Sequence, residues 1–302
     1  MGSFLAIFVL SVVAKLAEAP ADDTCHERLR QAAALSSERE LLSVRASLSW
    51  LRWLRIEPAE VGPDFESFRY LLSRFDPESL LRQDQALREA RRSGMSLSRF
   101  ERLRRQHELF RIPRGILLSL IRAMSLLRSH AFAFNSSFAP IDLDAAIDRY
   151  VNSLRRSWGF NIHHLARAGE IYAAAEMIRR GFSLVKIGQL IMEGNRIMAE
   201  IDFLLKDPEN PSKYILGEVQ VNAPGARAWA GNQMKVRQGL LDGSLRGSFT
   251  NGGEPMEVSK VFIFVMRPSE RFLEEMSMGH SSGFDLTTFD EASPFARGSQ
   301  AR

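Results

Sequence analysis

Cysteine is almost absent from this chain. Of its 302 residues only Cys25 carries a thiol, which excludes an intrachain disulfide and any cysteine-based zinc site. Histidine is scarce as well: the six residues show no metal-ligand spacing. The adjacent pair His163–His164 precedes a helix-forming run, where capping or surface exposure is the expected role. A one-sided charge is also missing. Forty Lys and Arg stand against 36 Asp and Glu, for a net charge of +4 and a pI near 9.4, a balance that suits an anionic partner without requiring one.

The amino-terminal apolar run, Phe4–Val13, is about half the ~20 residues that a helix needs to cross a bilayer. No Lys or Arg stands between it and Met1. Ala17-Glu-Ala19 and Ala19-Pro-Ala21 nevertheless have the small-residue spacing of a signal-peptidase site, although Pro20 disfavours the first cut. Residues 1–21 are therefore expected to be a signal peptide or hydrophobic leader, with no stable membrane span once it is removed. The mature protein would be secreted or periplasmic if the leader is cleaved, and cytoplasmic otherwise.

What is present divides in character near residue 160. Residues 24–158 show no convincing strand and read as a helical, Arg-rich domain, with helices over Ser36–Leu54, Pro77–Arg92 and Ser119–Phe134. Residues 91–128 carry ten Arg and two Glu, with Phe100, His107 and Phe110 interspersed. That excess is the footprint expected for contact with a phosphate backbone. Arg102, Arg104 and Arg105 are its candidate contacts, and a solvated helix face is the competing reading.

Beyond 160 the pattern turns to strands. Tyr214–Val221 is a β-branched and aromatic run, interrupted only by Gly217, Glu218 and Gln220. Alternation puts Tyr214, Leu216, Glu218 and Gln220 on one face and Ile215, Val219 and Val221 on the other. An upstream strand carries Glu200, Asp202 and Leu204 on one face and Ile201, Phe203 and Leu205 on the other. Lys206–Ser212 has hairpin-loop composition, so Asp202 and Glu218 are expected on neighbouring strands and one common face. A helix over Leu165–Arg180, stopped by Gly181, holds Glu170 on a small apolar stripe. Glu176, three and four positions before Arg179 and Arg180, has the spacing of a surface ion pair. Val258–Met266 is a further buried strand, Ser269–Met278 a closing helix, and residues 279–302 a flexible tail.

Gly169-Glu170, Gly181-Phe182, then Glu-Ile-Asp-Phe (200–203) and Gly-Glu-Val-Gln (217–220) together resemble the core of the PD-(D/E)XK nuclease superfamily, closest to the Holliday-junction resolvase-like nucleases. The resemblance covers roughly residues 160–267. It implies a restriction-endonuclease-like core over 160–278, a mixed central sheet flanked by helices, in an α+β or α/β chain. It also implies that Glu170 is the helix acid, Asp202 the main metal ligand and Glu218 the second ligand. Mg²⁺ (or Mn²⁺) would be held by Asp202, Glu218 and the Val219 carbonyl, with Glu170 contributing. The bound ion would activate water for phosphodiester cleavage, most simply of DNA.

One position departs from the pattern, because Gln220 stands where the superfamily has lysine. Lys235, on a helix over Ala226–Leu241 with an expected seam through Trp229, Asn232, Val236 and Leu240, is the candidate for a migrated lysine. Arg196 is a candidate phosphate contact. For both, plain solvent exposure is the competing reading. Two functions follow: a metal-dependent nuclease, or a catalytically inactive nuclease-like module that binds nucleic acid or a protein.

Overall fold

The computed structural model describes residues 44–133, 140–221, 226–249, 253–266 and 284–289, with residues 293 and 295. The expected leader (1–21) and closing helix (Ser269–Met278) lie outside these. Residues 1–49 form one compact unit, described only over 44–49 and helical there; residues 50–302 form the other. In this second unit the helices are α1 (Pro58–Val61), α2 (Phe65–Ser73), α3 (Pro77–Arg92), α4 (Leu97–Arg104), α5 (Arg114–Ala133), α6 (Pro140–Arg155) and α7 (Ile162–Arg179). Strands β1 (Ser183–Glu193), β2 (Arg196–Lys206) and β3 (Tyr214–Val221) follow, then α8 (Ala226–Leu241), β4 (Val258–Met266) and β5 (Phe284–Thr288). The chain is thus mixed α+β, with a helical amino-terminal region ahead of a mixed sheet.

Local chemistry sets the helix ends. Asp76 caps α3 by accepting the Ser79 amide at 2.9 Å, with Pro77 in the first turn, where its missing N–H costs nothing. Asn161 caps α7 by accepting the amides of His163 and His164, and His164 Nδ1 accepts the Asn161 amide at 2.9 Å in return. His164 is therefore a capping residue. Gly181, at φ +89°, ends α7 while the Phe182 amide reaches back to the Met177 carbonyl, as a left-handed C-terminal residue allows.

No break falls near residue 160. Helices α5 and α6 both pack along α7. Leu120 and Met124 of α5, Ile147, Tyr150 and Val151 of α6, and Ala168, Ile171 and Ala175 of α7 are all buried. From residue 50 onward the helices and the sheet are thereby parts of one compact unit.

The sheet runs β1-β2-β3-β4-β5, antiparallel through β3 and parallel from β3 to β5. Gly194, at φ +55° in the two-residue β1–β2 turn, supplies the backbone sign that a tight hairpin needs. β3 is central, and β4 beside it alternates cleanly. Leu216, Val261, Ile263 and Val265 join Met234 and Leu240 of α8 in one buried cluster. On the opposite face Phe264 meets Phe203, and Gly169 of α7 lies against Met266 and Val219. Helices α7 and α8 therefore cover opposite faces of the sheet.

Two expectations need correction. Ile201 and Leu204, three residues apart, both pack into the cluster under α8, so β2 does not alternate strictly through Asp202. Opposite this irregularity, between the pairs Ile187–Phe203 and Gln189–Ile201, stands Gly188 at φ +75°. The tail is not uniformly flexible either. Residues 284–288 form the edge strand β5, and Phe289 and Phe295 are buried against Tyr172. These aromatics bury too much apolar surface to remain in solvent.

Gly217 offers a direct test of this packing. A methyl there would overlap the Phe203 ring, itself held against Phe264. Gly217→Ala is expected to lower stability by about 1–3 kcal/mol in urea unfolding, the usual cost of overpacking a core. An unchanged midpoint would show that the ring is free to move.

Candidate functional site

The three acids singled out by sequence belong to α7, β2 and β3, around the point where β2 and β3 part. The β2–β3 ladder runs from Lys206–Tyr214 to Phe203–Gly217. Past it, the Val219 amide donates to Asp202 Oδ2 at 2.7 Å. A carboxylate thus takes the place of a strand carbonyl.

Glu218 faces α8, beside Ile263 in the sheet register. There it meets Arg237, whose Nε and Nη2 approach Glu218 Oε1 at 2.6 and 2.5 Å. Arg237 Nη2 also donates to the Glu200 carbonyl at 2.7 Å. The pair is fully enclosed: Arg237 is 0% and Glu218 1% exposed. Buried charges of this kind persist only when they are paired and hydrogen-bonded. Glu170 lies on the α7 side, where Arg167 Nη1 donates to both its oxygens at 3.1 Å and to Glu200 Oε1 at 3.4 Å.

Titration follows the same arrangement. Burial pushes Glu170 well above the usual carboxylate range, the Asp202 charge adds to this, and Arg167 opposes it. Burial pushes Asp202 up to about 6, against the Val219 N–H, Arg237 and Arg167. Burial pushes Glu218 up to about 8, with Arg237 opposing and Asp202 reinforcing the rise. Asp202 raises both of the others, so it is the middle member of a row that passes through the sheet. Such mutual effects require proximity.

Proximity is not a shared ligand sphere. Asp202 and Glu218 do not present a common open face, because Glu218 turns to α8 and Asp202 is engaged by the β3 backbone. Val219 contributes its N–H to Asp202. Among the described residues no group of three or more His, Cys, Asp or Glu side chains is placed to hold a metal ion.

The remaining candidates scatter. Lys235 is exposed on α8, and the cation that reaches the acids from this helix is Arg237, two residues on. Of the expected α8 seam, Leu240 is buried and Val236 packs against the core cluster, while the side chains of Trp229 and Asn232 lie outside the described residues; Met234 and Arg237 are buried beside them. Gln220 is 2% exposed on the α8 face of β3, and its Nε2 has no hydrogen-bond partner among the described residues. Arg196 is exposed at the hairpin end, six residues and so roughly 20 Å along the strand from Asp202. Arg102 and Arg105 are exposed on and beside α4. Arg104 is committed to Glu101 at 3.0 Å and lies over the Phe110 ring. Glu176 pairs with Arg179 and Arg180 at 2.9 and 3.2 Å.

Two further arginines went unread in the sequence. Besides Arg167, Arg149 of α6 crosses over Gly188 to the Ile187 carbonyl at 3.4 Å and its charge helps restrain Glu170. The absent side chain at Gly188 is what admits it. No helix among the described residues is long and apolar enough to cross a membrane. Compared with family models, curated proteins and solved structures, the chain matches none.

Proposed function

We propose that residues 162–266 are a nuclease-like fold in which Arg237 takes the part of the divalent cation, and that the protein binds nucleic acid without cutting it. The observation that carries this reading is the buried Arg237–Glu218 pair. A guanidinium bonded through two nitrogens satisfies the carboxylate that a metal would need, and its charge repels a second cation from the same place. The element order α7-β1-β2-β3-α8-β4, with an acid on α7, on β2 and on β3, supports the resemblance to PD-(D/E)XK nucleases. Gln220 in place of the motif lysine supports the loss of turnover, since a neutral amide stabilises developing phosphate charge less well. The exposed arginines of the helical region support an anionic partner.

One observation favours the second reading, a metal-dependent nuclease. Burial raises all three carboxyls, and a divalent ion that displaced Arg237 would relieve that cost. Mg²⁺ or Mn²⁺ would then be held by Asp202 and Glu218, with Glu170 nearby and Gln220 orienting the water.

A single assay separates the two. Purified protein is incubated with plasmid and with single-stranded DNA, in Mg²⁺, Mn²⁺ or EDTA. The expected result is retention of DNA that falls steeply with salt and no cleavage in any metal. Cleavage abolished by both Asp202→Ala and Glu218→Ala would overturn the non-cutting reading and establish the nuclease. Neither retention nor cleavage would exclude both.

A further inference from the structure

The segment between α6 and α7 holds an indole in solvent. Trp158 is 97% exposed, yet its turn is not loose. Arg111 Nη1 donates to the Ser157 carbonyl and, at 3.4 Å, to that of Leu154. Ser157 Oγ in turn donates to the Gly159 carbonyl at 2.8 Å and lies 3.2 Å from His164 Nε2. Two hollows, of about 510 and about 700 Å³, share Arg105, Arg111 and Trp158 in their walls. Phe110 and Phe160 line the first and Arg102 the second.

The charge here is positive and uncancelled. The guanidinium of Arg111 donates to the neutral carbonyls of Leu154, Ser157 and Gln106, the last from Nη2 at 3.1 Å. Glu101, which lines the second hollow, is already taken by Arg55 at 2.8 Å and Arg104 at 3.0 Å. Arg102 and Arg105 form no hydrogen bond or ion pair with any described residue.

We infer that this cleft is a subsite for single-stranded nucleic acid, in which a base stacks on Trp158 while Arg102 and Arg105 take the flanking phosphates. A flat aromatic face beside guanidinium groups is the arrangement that recognises unpaired bases without reading their sequence. A duplex keeps its bases stacked inside, so it would meet only the arginines. The inference rests on the nucleic-acid reading above and adds to it both the place and the strand state.

The test measures fluorescence anisotropy of a labelled oligothymidylate, an abasic strand of equal length and a duplex. Proteins compared are the parent, Trp158→Ala, Trp158→Phe and Arg105→Ala. Trp158→Ala is expected to weaken the oligothymidylate about tenfold, while Trp158→Phe keeps most of the affinity and abasic binding stays the same. Arg105→Ala should reduce the salt slope by about 0.7, one phosphate contact on a single strand. Unchanged oligothymidylate binding in Trp158→Ala, or an equal loss on the abasic strand, would overturn the cleft and leave the broader reading standing. A parent that binds no nucleic acid would remove both. Trp158-dependent adsorption to phosphatidylserine vesicles, with oligonucleotide binding indifferent to Trp158, would assign the cleft to a lipid surface and overturn the inference.

Discussion

Arg237→Met is expected to cost about 3–5 kcal/mol in urea unfolding above about pH 8, where Glu218 is ionised, the usual result of breaking a buried ion pair from one side. Methionine replaces much of the stem volume, so packing alone accounts for little of the loss. What remains is Glu218 at 1% exposure with no counter-charge, and a Glu200 carbonyl without the Nη2 donor it has at 2.7 Å. Glu218 limits the damage by taking up a proton, since burial already pushes it to about 8 with the arginine present. The loss should therefore be smaller at neutral pH than at alkaline pH. Adding Glu218→Leu to Arg237→Met removes the stranded carboxyl and should recover most of the stability, leaving the orphaned carbonyl at about 1–3 kcal/mol. A single variant as stable as the parent across the pH range would mean that the pair does not form. Added Mn²⁺ supplies an independent readout. If the ion raises the midpoint of Arg237→Met and leaves the parent unmoved, Arg237 occupies a cation position. If it stabilises both equally, the arginine does not stand in for a metal.

How much of this was legible in the sequence follows from what each signal measures. The β3 run and Val258–Met266 were readable because a strand covered on both faces must be apolar almost throughout. The sheet places them at its centre and beside it, in parallel. Pro77–Arg92 was readable to the residue because Pro77 and Gly94 punctuate it. Glu170 could be placed on a buried stripe of α7 because its neighbours there are small and apolar. The relation between the acids could not be read the same way. Period-two alternation assigns faces within a strand, but the irregularity of β2 through Asp202 and the parting of β2 from β3 are properties of the pair. The partners were harder still, because Arg149, Arg167 and Arg237 come from three helices and nothing local marks them as buried. Strand β5 escaped notice because five residues in a Ser- and Gly-rich setting carry too little pattern, and only β4 beside them makes a strand of the segment.

Asp202 should make the protein lose stability as pH rises, opposite to the acid denaturation usual for paired carboxylates. Burial raises its carboxyl from an ordinary 3.8 to about 6. Between those values the folded chain keeps a proton that the unfolded chain has released. Stability falls with pH wherever the folded state binds more protons, so the contribution is complete below about 3.8 and is lost as pH rises through about 6. The difference amounts to roughly 3 kcal/mol at neutral pH. Asp202→Asn removes the charge and retains an oxygen for the Val219 amide, which now donates at 2.7 Å. The variant is expected to match the parent near pH 4 and to exceed it by about 1–3 kcal/mol at pH 7–8. Glu170 should also titrate lower in the variant, because the Asp202 charge is one of the causes of its rise. Urea midpoints across that range decide the matter. A parent whose stability climbs steadily with pH, and a variant that runs parallel to it, would mean that Asp202 is ionised and well solvated in the folded chain. The row of acids through the sheet would then be open to water and to cations, and the case for a protein that does not cut would weaken with it.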